Sequence, residues 1–286
     1  MARFGAHAFI WESEWSSDAA ERVISQAAEA GLDFVEIPLL RPESFDADAT
    51  AHLLQRYGVG ATCSLGLPAD ATLPESPEAA ERFLQRALEA ADKVGAPVIS
   101  GVIYGTLGVH SGHPPQPEEL DAVAASLKRV ARYAATLGMA LGVEPVNRYE
   151  THLVNLGRQG LELLKRIDET NVFLHLDTYH MNIEEKGFEA PIIEAGKHLR
   201  YIHLSESDRG TPGSGNVRWD DVFSGLAAIG YDGDLVMESF VAPNPDIARA
   251  TCIWRPVAPD PQALVSEGLA FLRGHAERAG LLLARA

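Results

Sequence analysis

The sequence predicts an α/β protein folded as a single (β/α)8 barrel domain over residues 1–286. Eight short runs rich in Val, Ile, Leu and Phe alternate along the chain with eight longer segments of helical periodicity. The short runs are almost continuously apolar, as expected for parallel strands that are covered on both faces. Eightfold alternation of this kind is typical of a closed barrel. An open, doubly wound sheet is the alternative that the alternation leaves open.

The predicted elements are bounded by turn-forming residues. The strands are expected at 3–10, 33–38, 60–65, 97–104, 140–146, 172–176, 200–204 and 234–240. The helices are expected at 17–30, 48–57, 77–94, 117–137, 157–167, 188–195, 219–229 and 261–279. Glycine commonly ends a helix before the next strand. Five helices are followed in this way, by Gly31, Gly58, Gly95, Gly138 and Gly230.

Composition narrows the possible partners. The chain has 24 Lys and Arg against 40 Asp and Glu, and a net charge of -16 disfavours binding to nucleic acid. The two cysteines, Cys63 and Cys252, are too few for a disulfide framework. We find no secretion signal at the N-terminus and no run long enough to span a membrane. The sequence therefore predicts a cytoplasmic protein with no nucleic-acid or membrane partner.

Four predicted strands end close to a polar, ionisable residue: Glu144, Asp177, His203 and Glu238. In a parallel barrel, residues at the carboxyl ends of the strands form the active site. Any one of the four alone is better explained by a paired buried group or a helix cap. Three carboxylates in one barrel mouth, however, repel each other unless a cation lies among them. The set therefore predicts a bound divalent metal ion.

The type of ligand indicates which metal to expect. Oxygen-rich ligation with one imidazole suits Mn²⁺, Mg²⁺ or Co²⁺ better than a structural zinc, so Cys63 and Cys252 are not expected to be ligands. The ligands are far apart in sequence, and no local metal or nucleotide-binding motif accompanies them. The prediction depends entirely on the register of the strands.

More polar residues follow the candidate ligands. A loop salt bridge is the simple interpretation of Arg148 with Glu150, and of Glu206 with Arg209. His180 could equally be a partner that orients a metal ligand. The remaining polar residues in these segments are Asn147, Asn182 and Asp208.

Four segments carry a specific resemblance: 143–150 (VEPVNRYE), 175–185 (HLDTYHMNIEE), 203–210 (HLSESDRG) and 237–240 (MESF). Together they resemble the ketose 3-epimerases, a group that includes the D-tagatose, D-allulose (psicose) and L-ribulose 3-epimerases. These enzymes belong to the xylose isomerase-like TIM barrels. The likeness covers most of the chain.

The resemblance implies metal-dependent epimerisation of free ketoses at carbon 3, with Mn²⁺ the expected metal, in a homodimer or homotetramer. It assigns the metal to Glu144, Asp177, His203 and Glu238, the four residues that the strand register selects. Glu144 and Glu238 are implied to be the catalytic pair. The substrate-binding residues that it implies are Glu150, His180 and Arg209, with weaker matches at His7, Trp15, Ser64 and Thr106.

The sequence departs from the commonest family pattern at Pro145, Ser205, Asp208 and His7, which leaves the preferred sugar open. Three other activities on the same barrel stay open: aldose-ketose isomerase, hydroxypyruvate isomerase and inosose dehydratase. An endonuclease IV-like nuclease is disfavoured by the acidic charge and by the single histidine among the expected ligands. A sugar-binding barrel without activity is disfavoured because all four ligands are present.

Overall fold

In the computed structural model, which describes residues 2–241 and 243–282, eight parallel strands form a closed barrel in sequence order. Parallel pairing of the first strand with the last closes it. The closed ring confirms the (β/α)8 fold and excludes the open sheet. The strands are β1 (Arg3–His7), β2 (Phe34–Pro38), β3 (Gly60–Gly66), β4 (Val98–Val102), β5 (Ala140–Val143), β6 (Val172–Asp177), β7 (Leu199–Leu204) and β8 (Asp234–Met237).

Ten α-helices lie among the described residues, and eight of them match the predicted helices to within two residues at each end. The five glycines expected to end helices all have positive φ angles, between 62 and 76°. The helices are α1 (Ser17–Glu29), α2 (Ala47–Tyr57), α3 (Pro77–Lys93), α4 (Pro117–Thr136), α5 (Gly157–Ile167), α6 (Thr178–Glu184), α7 (Glu189–Ala195), α8 (Trp219–Ala228), α9 (Pro245–Thr251) and α10 (Pro261–Arg278).

Helices α6 and α9 were not predicted. Each has only seven residues, but α7 is equally short and was predicted, so length is not the whole reason. Helix α6 directly continues β6, and α9 begins in a segment with Pro243 and Pro245 that resembles a loop. Side-chain caps start both of them. The Asp177 carboxylate accepts a hydrogen bond from the Tyr179 amide, and the Asn244 side chain accepts from the amides of Asp246 and Ile247. Both helices lie at the carboxyl ends of strands, where the candidate site is.

Four strands end earlier than predicted. The expected ends at residues 10, 104, 146 and 240 become His7, Val102, Val143 and Met237. The segments beyond the true ends remain buried, as the low exposure of Ile103, Tyr104, Val146 and Phe240 shows. An apolar run predicts that its residues are buried, but it does not predict where strand pairing stops. The four strand ends expected from the sequence therefore lie beyond the true ends.

An apolar cluster inside the barrel lies below the candidate site. It consists of Phe34, Phe173, Tyr201 and Val236, contributed by β2, β6, β7 and β8. The Tyr201 hydroxyl reaches from this cluster to the buried carboxylate of Glu36. The polar site therefore rests on an apolar floor. None of the helices in the described ranges combines the length and apolarity needed to cross a membrane.

Candidate active site

The four residues selected from the sequence come together at the carboxyl ends of their strands. Asp177 ends β6 and pairs in register with His203 of β7, while Glu144 and Glu238 directly follow β5 and β8. His203 Nδ1 lies 3.6 Å from Glu144 Oε1 and 3.5 Å from Glu238 Oε1. One oxygen each of Asp177 and Glu238 lies within 4.8 Å of a ring nitrogen of His203. All four side chains are buried.

This donor set fits a divalent metal ion. Three buried carboxylates face a single imidazole, and Nδ1 of His203 has no hydrogen-bond partner among the described residues. Oxygen ligands with one ring nitrogen suit Mn²⁺, Mg²⁺ or Co²⁺. Ring nitrogens of His175 and His180 lie within 4.8 Å of some of the same carboxylates. His175 Nδ1 is occupied by Ser100 at 2.8 Å, and the ring packs edge-on against His203.

Arg209 is the only arginine among the described residues whose guanidinium contacts these carboxylates. Its Nη1 donates to Asp177 Oδ2 at 2.9 Å and also to Glu238. Burial opposes ionisation of Glu238, but Arg209 and His203 outweigh it and lower the pKa of this carboxyl. Burial raises the pKa of Glu144 well above its usual value, opposed by His203 and reinforced by the carboxylates of Asp177 and Glu238. Without a metal ion, the two glutamates therefore differ in their affinity for a proton.

His180 and Glu150 lie beside this group. The Asn147 amide donates to His180 Nδ1 at 3.1 Å, so the neutral ring carries its proton on Nε2. Burial lowers the pKa of His180 to about 3, opposed by Asp177 and assisted by Arg209. His180 Nε2 lies 3.6 Å from Asp177 Oδ2 and 4.0 Å from Glu150 Oε2. A neutral N–H donor thus faces the same space as the carboxylates.

The four residues that match the family's substrate-binding residues only weakly lie in two neighbouring cavities. Glu144, His203 and Glu238 line a cavity of about 300 Å³ together with His7, Ser64 and Thr106. Within it, His7 Nε2 lies 3.1 Å from Ser64 Oγ. Trp15 instead lines the adjoining cavity, where it packs beside Phe45. The two cavities share part of their walls, including Phe9, Leu40 and Ile247.

Neither of the two loop salt bridges that the sequence left open as the simple interpretation is present among the described residues. Arg148 pairs with Glu184, which follows it by 36 residues, instead of with Glu150. Arg209 turns inward to the carboxylates, aided by a left-handed backbone with φ of 64°. The carboxylate of Glu206 accepts N–H groups instead. Its donors are the backbone amides of Ser207, Gly213 and Val217 and the indole of Trp219.

Of the departures from the family pattern, Ser205 touches the group directly. Its hydroxyl donates to Glu238 Oε2 at 3.2 Å and lies 3.3 Å from Arg209 Nη1. Asp208 pairs with Arg255 at 3.2 Å, away from the carboxylates. Asn182 is exposed. Ser205 therefore hydrogen-bonds to the Glu238 carboxylate, whereas Asp208 is paired elsewhere, with Arg255.

Sequence reasoning missed Glu36. This carboxylate lies in the middle of β2, is 0% exposed, and has Oε2 2.7 Å from His203 Nε2. Burial opposes its ionisation, but the adjacent imidazole of His203 lowers the pKa of Glu36 to about 2. A single carboxylate within an otherwise apolar buried strand was the available signal, because such a group is seldom buried without a partner.

Residues 24–275 match the protein family described as xylose isomerase-like TIM barrel. The L-ribulose 3-epimerase of Methylomonas sp. (strain DH-1) is 39% identical over 94% of this chain and 96% of its own length. The ketose 3-epimerase of Arthrobacter globiformis is 38% identical over 95% of this chain and 96% of its own.

A solved structure gives the same result. The D-allulose 3-epimerase of Methylomonas sp. in complex with D-allulose superimposes with a TM-score of 0.92 at 38% identity, covering 96% of this chain and 97% of that one. The family match and these near full-length relatives together identify the family of this chain. The chain therefore belongs to the ketose 3-epimerases among the xylose isomerase-like TIM barrels, and it is an isomerase of the epimerase class.

Proposed function

We propose that this protein epimerises free ketoses at carbon 3 with the help of one divalent metal ion. The substrate pairs expected are D-allulose with D-fructose, D-tagatose with D-sorbose, or L-ribulose with L-xylulose. The observation that carries the proposal is the placement of Glu144 and Glu238 at 3.6 and 3.5 Å from the same nitrogen of His203. Two carboxylates on different strands thereby face one small volume.

The reaction needs an acid/base group on each face of the sugar. The hydrogen on carbon 3 is acidic because the carbonyl is adjacent, and its removal gives an enediolate. One glutamate takes this proton, and the other returns a proton to the opposite face. Glu144 follows β5 and Glu238 follows β8, so their carboxylates approach the cavity from different sides. The roles exchange when the reaction runs in reverse.

The metal would be held by Glu144, Asp177, His203 and Glu238. An ion of the Mn²⁺ type, with Mg²⁺ and Co²⁺ as the alternatives, would supply Lewis-acid stabilisation of the negative charge that develops on the substrate oxygens. The Nδ1 of His203, which has no hydrogen-bond partner within residues 2–241 and 243–282, and the three buried carboxylates support this ligand set.

Three further side chains would hold the carbonyl end of the sugar. His180 offers its Nε2–H, Arg209 offers guanidinium donors, and Glu150 can accept a hydroxyl. None of these three lines the described cavity of about 300 Å³, whose wall is mainly apolar and includes Leu67, Leu107 and Phe240. His7, Ser64 and Thr106 add polar groups to that wall, with Trp15 beyond it in the adjoining cavity.

The oligomeric state and the cytoplasmic location stay predictions from the sequence.

Product analysis tests the proposal. Protein stripped of metal and then reloaded with Mn²⁺ is incubated with D-fructose, D-allulose, D-tagatose and L-ribulose, and the products are separated by chromatography. We expect carbon 3 epimers that form only with metal. Aldose products would indicate an aldose-ketose isomerase, and products formed by loss of water would indicate a dehydratase. Failure to convert any free ketose would contradict the proposed substrate class.

A further inference from the structure

We propose that Glu36 is a positioning residue that fixes Nδ1 of His203 as the metal-binding nitrogen and strengthens metal binding. The inference rests on the proposed metal site, and it concerns a residue that the sequence did not select. Glu36 is 0% exposed, and its Oε2 contacts Nε2 of His203, whereas Glu144 and Glu238 lie near Nδ1 of the same ring. It therefore acts through His203 rather than on the sugar.

Glu36 is held in place from three strands. Along β2 it pairs in register with His7 of β1 and Thr62 of β3. Its Oε2 accepts a hydrogen bond from the Tyr201 hydroxyl at 3.0 Å, and that hydroxyl lies 2.7 Å from Thr62 Oγ1. The side chains of Glu36, Thr62 and Tyr201 are all buried. Because the whole side chain of Glu36 is buried, its carboxylate has little freedom to turn away from His203 even without the hydrogen bond from Tyr201.

This placement decides which ring nitrogen of His203 is available. An ionised carboxylate can only accept hydrogen bonds, so the contact of 2.7 Å puts the proton of the neutral imidazole on Nε2. The lone pair is then on Nδ1. In the described part of the chain Nδ1 has no hydrogen-bond partner, and it lies 3.6 Å from Glu144 and 3.5 Å from Glu238. Without Glu36 the ring could carry its proton on either nitrogen, or rotate.

Charge adds to this effect. The carboxylate behind the imidazole makes the ring a stronger electron donor to a metal, as outer partners of metal-binding histidines commonly do. It also adds a fourth carboxylate to those of Glu144, Asp177 and Glu238. Removal of such an outer partner typically weakens metal binding 10 to 100-fold.

The test measures Mn²⁺ binding without sugar. The variant Glu36→Gln keeps the size of the side chain and loses its charge. The matched control is Tyr201→Phe, which removes the other hydrogen bond to the same oxygen and leaves Glu36 and His203 in place. Mn²⁺ affinity is measured on metal-stripped full-length protein by calorimetry. We expect about 10 to 100-fold weaker binding for Glu36→Gln and less than about 3-fold for Tyr201→Phe.

Two further readouts separate positioning from a general structural role. The absorption spectrum of the Co²⁺-loaded protein should change for Glu36→Gln and not for Tyr201→Phe. The Mn²⁺ concentration for half-maximal activity should rise by the same factor as the dissociation constant, and excess Mn²⁺ should restore turnover. If Glu36→Gln does not fold, Glu36→Asp provides the test, because its shorter carboxylate no longer reaches His203 Nε2.

The outcomes separate this inference from the proposed function. Wild-type protein that binds no Mn²⁺ would overturn the metal site and the role of Glu36 with it. If folded Glu36→Gln or Glu36→Asp binds Mn²⁺ as tightly as the wild type does, the role of Glu36 is overturned. The epimerase proposal would then remain intact.

Discussion

The guanidinium of Arg209 joins two carboxylates, those of Asp177 and Glu238, inside the barrel mouth. Asp177 ends β6 and caps α6, and Glu238 follows β8, so the contact ties together elements that are distant in sequence. The guanidinium carbon also lies 4.1 Å from the ring centroid of Tyr179 and 5.0 Å from that of Phe240. Arg209 is 3% exposed. A buried cation with these partners stabilises two carboxylates that would otherwise repel each other.

Loss of Arg209 should therefore destabilise the metal-free protein. We expect Arg209→Ala to lower the free energy of unfolding by about 3–5 kcal/mol, because it leaves buried charges uncompensated. Urea unfolding in the presence of a chelator measures this change. The control is Arg249→Ala, whose ion pair with Asp246 is exposed at both side chains and should be worth less than about 1 kcal/mol. Equal effects of the two substitutions would contradict the account.

Substitution of either catalytic candidate should stop turnover. Glu144→Gln and Glu238→Gln keep the side-chain size and remove the base, so we expect kcat to fall about 10² to 10⁴-fold in each. Circular dichroism should show an unchanged fold. Glu184→Gln is a suitable control, since Glu184 pairs with Arg148 outside the carboxylate group. Near-normal activity in either Glu144→Gln or Glu238→Gln would contradict the scheme with two bases.

Glu150 should make stability depend on pH. Burial, partly offset by Arg209 and by a hydrogen bond from Asn147, raises the pKa of Glu150 from 4.5 to about 7. The folded protein therefore favours the protonated form of Glu150. The resulting contribution to folding stability is fully present below about pH 4.5 and is lost as the pH rises to about 7. Relative to Glu150→Gln, metal-free wild-type protein should lose about 3 kcal/mol of stability over this interval, with no further change above it.

Glu206 provides a control of opposite sign for this pH experiment. Burial opposes its ionisation, but bonds from Ser207, Val217 and Gly213 and from the Trp219 indole lower its pKa. Its contribution is present above the unfolded pKa and is lost as the pH falls through the lower folded value. Wild type and Glu206→Gln should therefore diverge only in acid. Parallel stability curves for wild type and Glu150→Gln would show that Glu150 has no raised pKa.

Gly101 should not tolerate a side chain. It follows Ser100 in β4 with φ of +114°, and an added Cβ would lie 2.5 Å from the backbone oxygen of Leu65. We expect Gly101→Ala to cost about 3 kcal/mol or more, since neither the backbone angle nor the facing strand can relax easily. Gly112 has φ of +84° with open space around its Cβ position, so Gly112→Ala should cost only about 1–2 kcal/mol. Thermal unfolding of both variants tests the difference.

The architecture was predictable because each repeat carries its own signal. Apolar runs and helical periods located all eight strands and eight of the ten helices described. The positions where strands end were not predictable, because side chains such as Tyr104 and Val146 stay buried after strand pairing has ended. Helix α9 lies in a proline-rich segment that resembles a loop, although Asn244 followed by Pro245 is a helix-start signal.

The site was predictable only as far as strand ends reveal it. Glu144, Asp177, His203 and Glu238 stand at such ends, and the fold brings them together. Partners reached from loops were harder to predict: Arg148 and Glu184 pair across 36 residues, and nothing in their local sequence identifies the pair. Glu36 was missed because it lies within a strand, where its contact with His203 depends on barrel closure.

The most direct test of carbon 3 chemistry is deuterium incorporation. Mn²⁺-loaded protein is incubated with D-allulose in D₂O, and both sugars are analysed by NMR as they approach equilibrium. We predict deuterium at carbon 3 of the epimerised product and of recovered substrate, dependent on metal and absent in Glu144→Gln and Glu238→Gln. Epimerised product without deuterium at carbon 3, or deuterium only at carbon 1, would contradict proton transfer by the two glutamates.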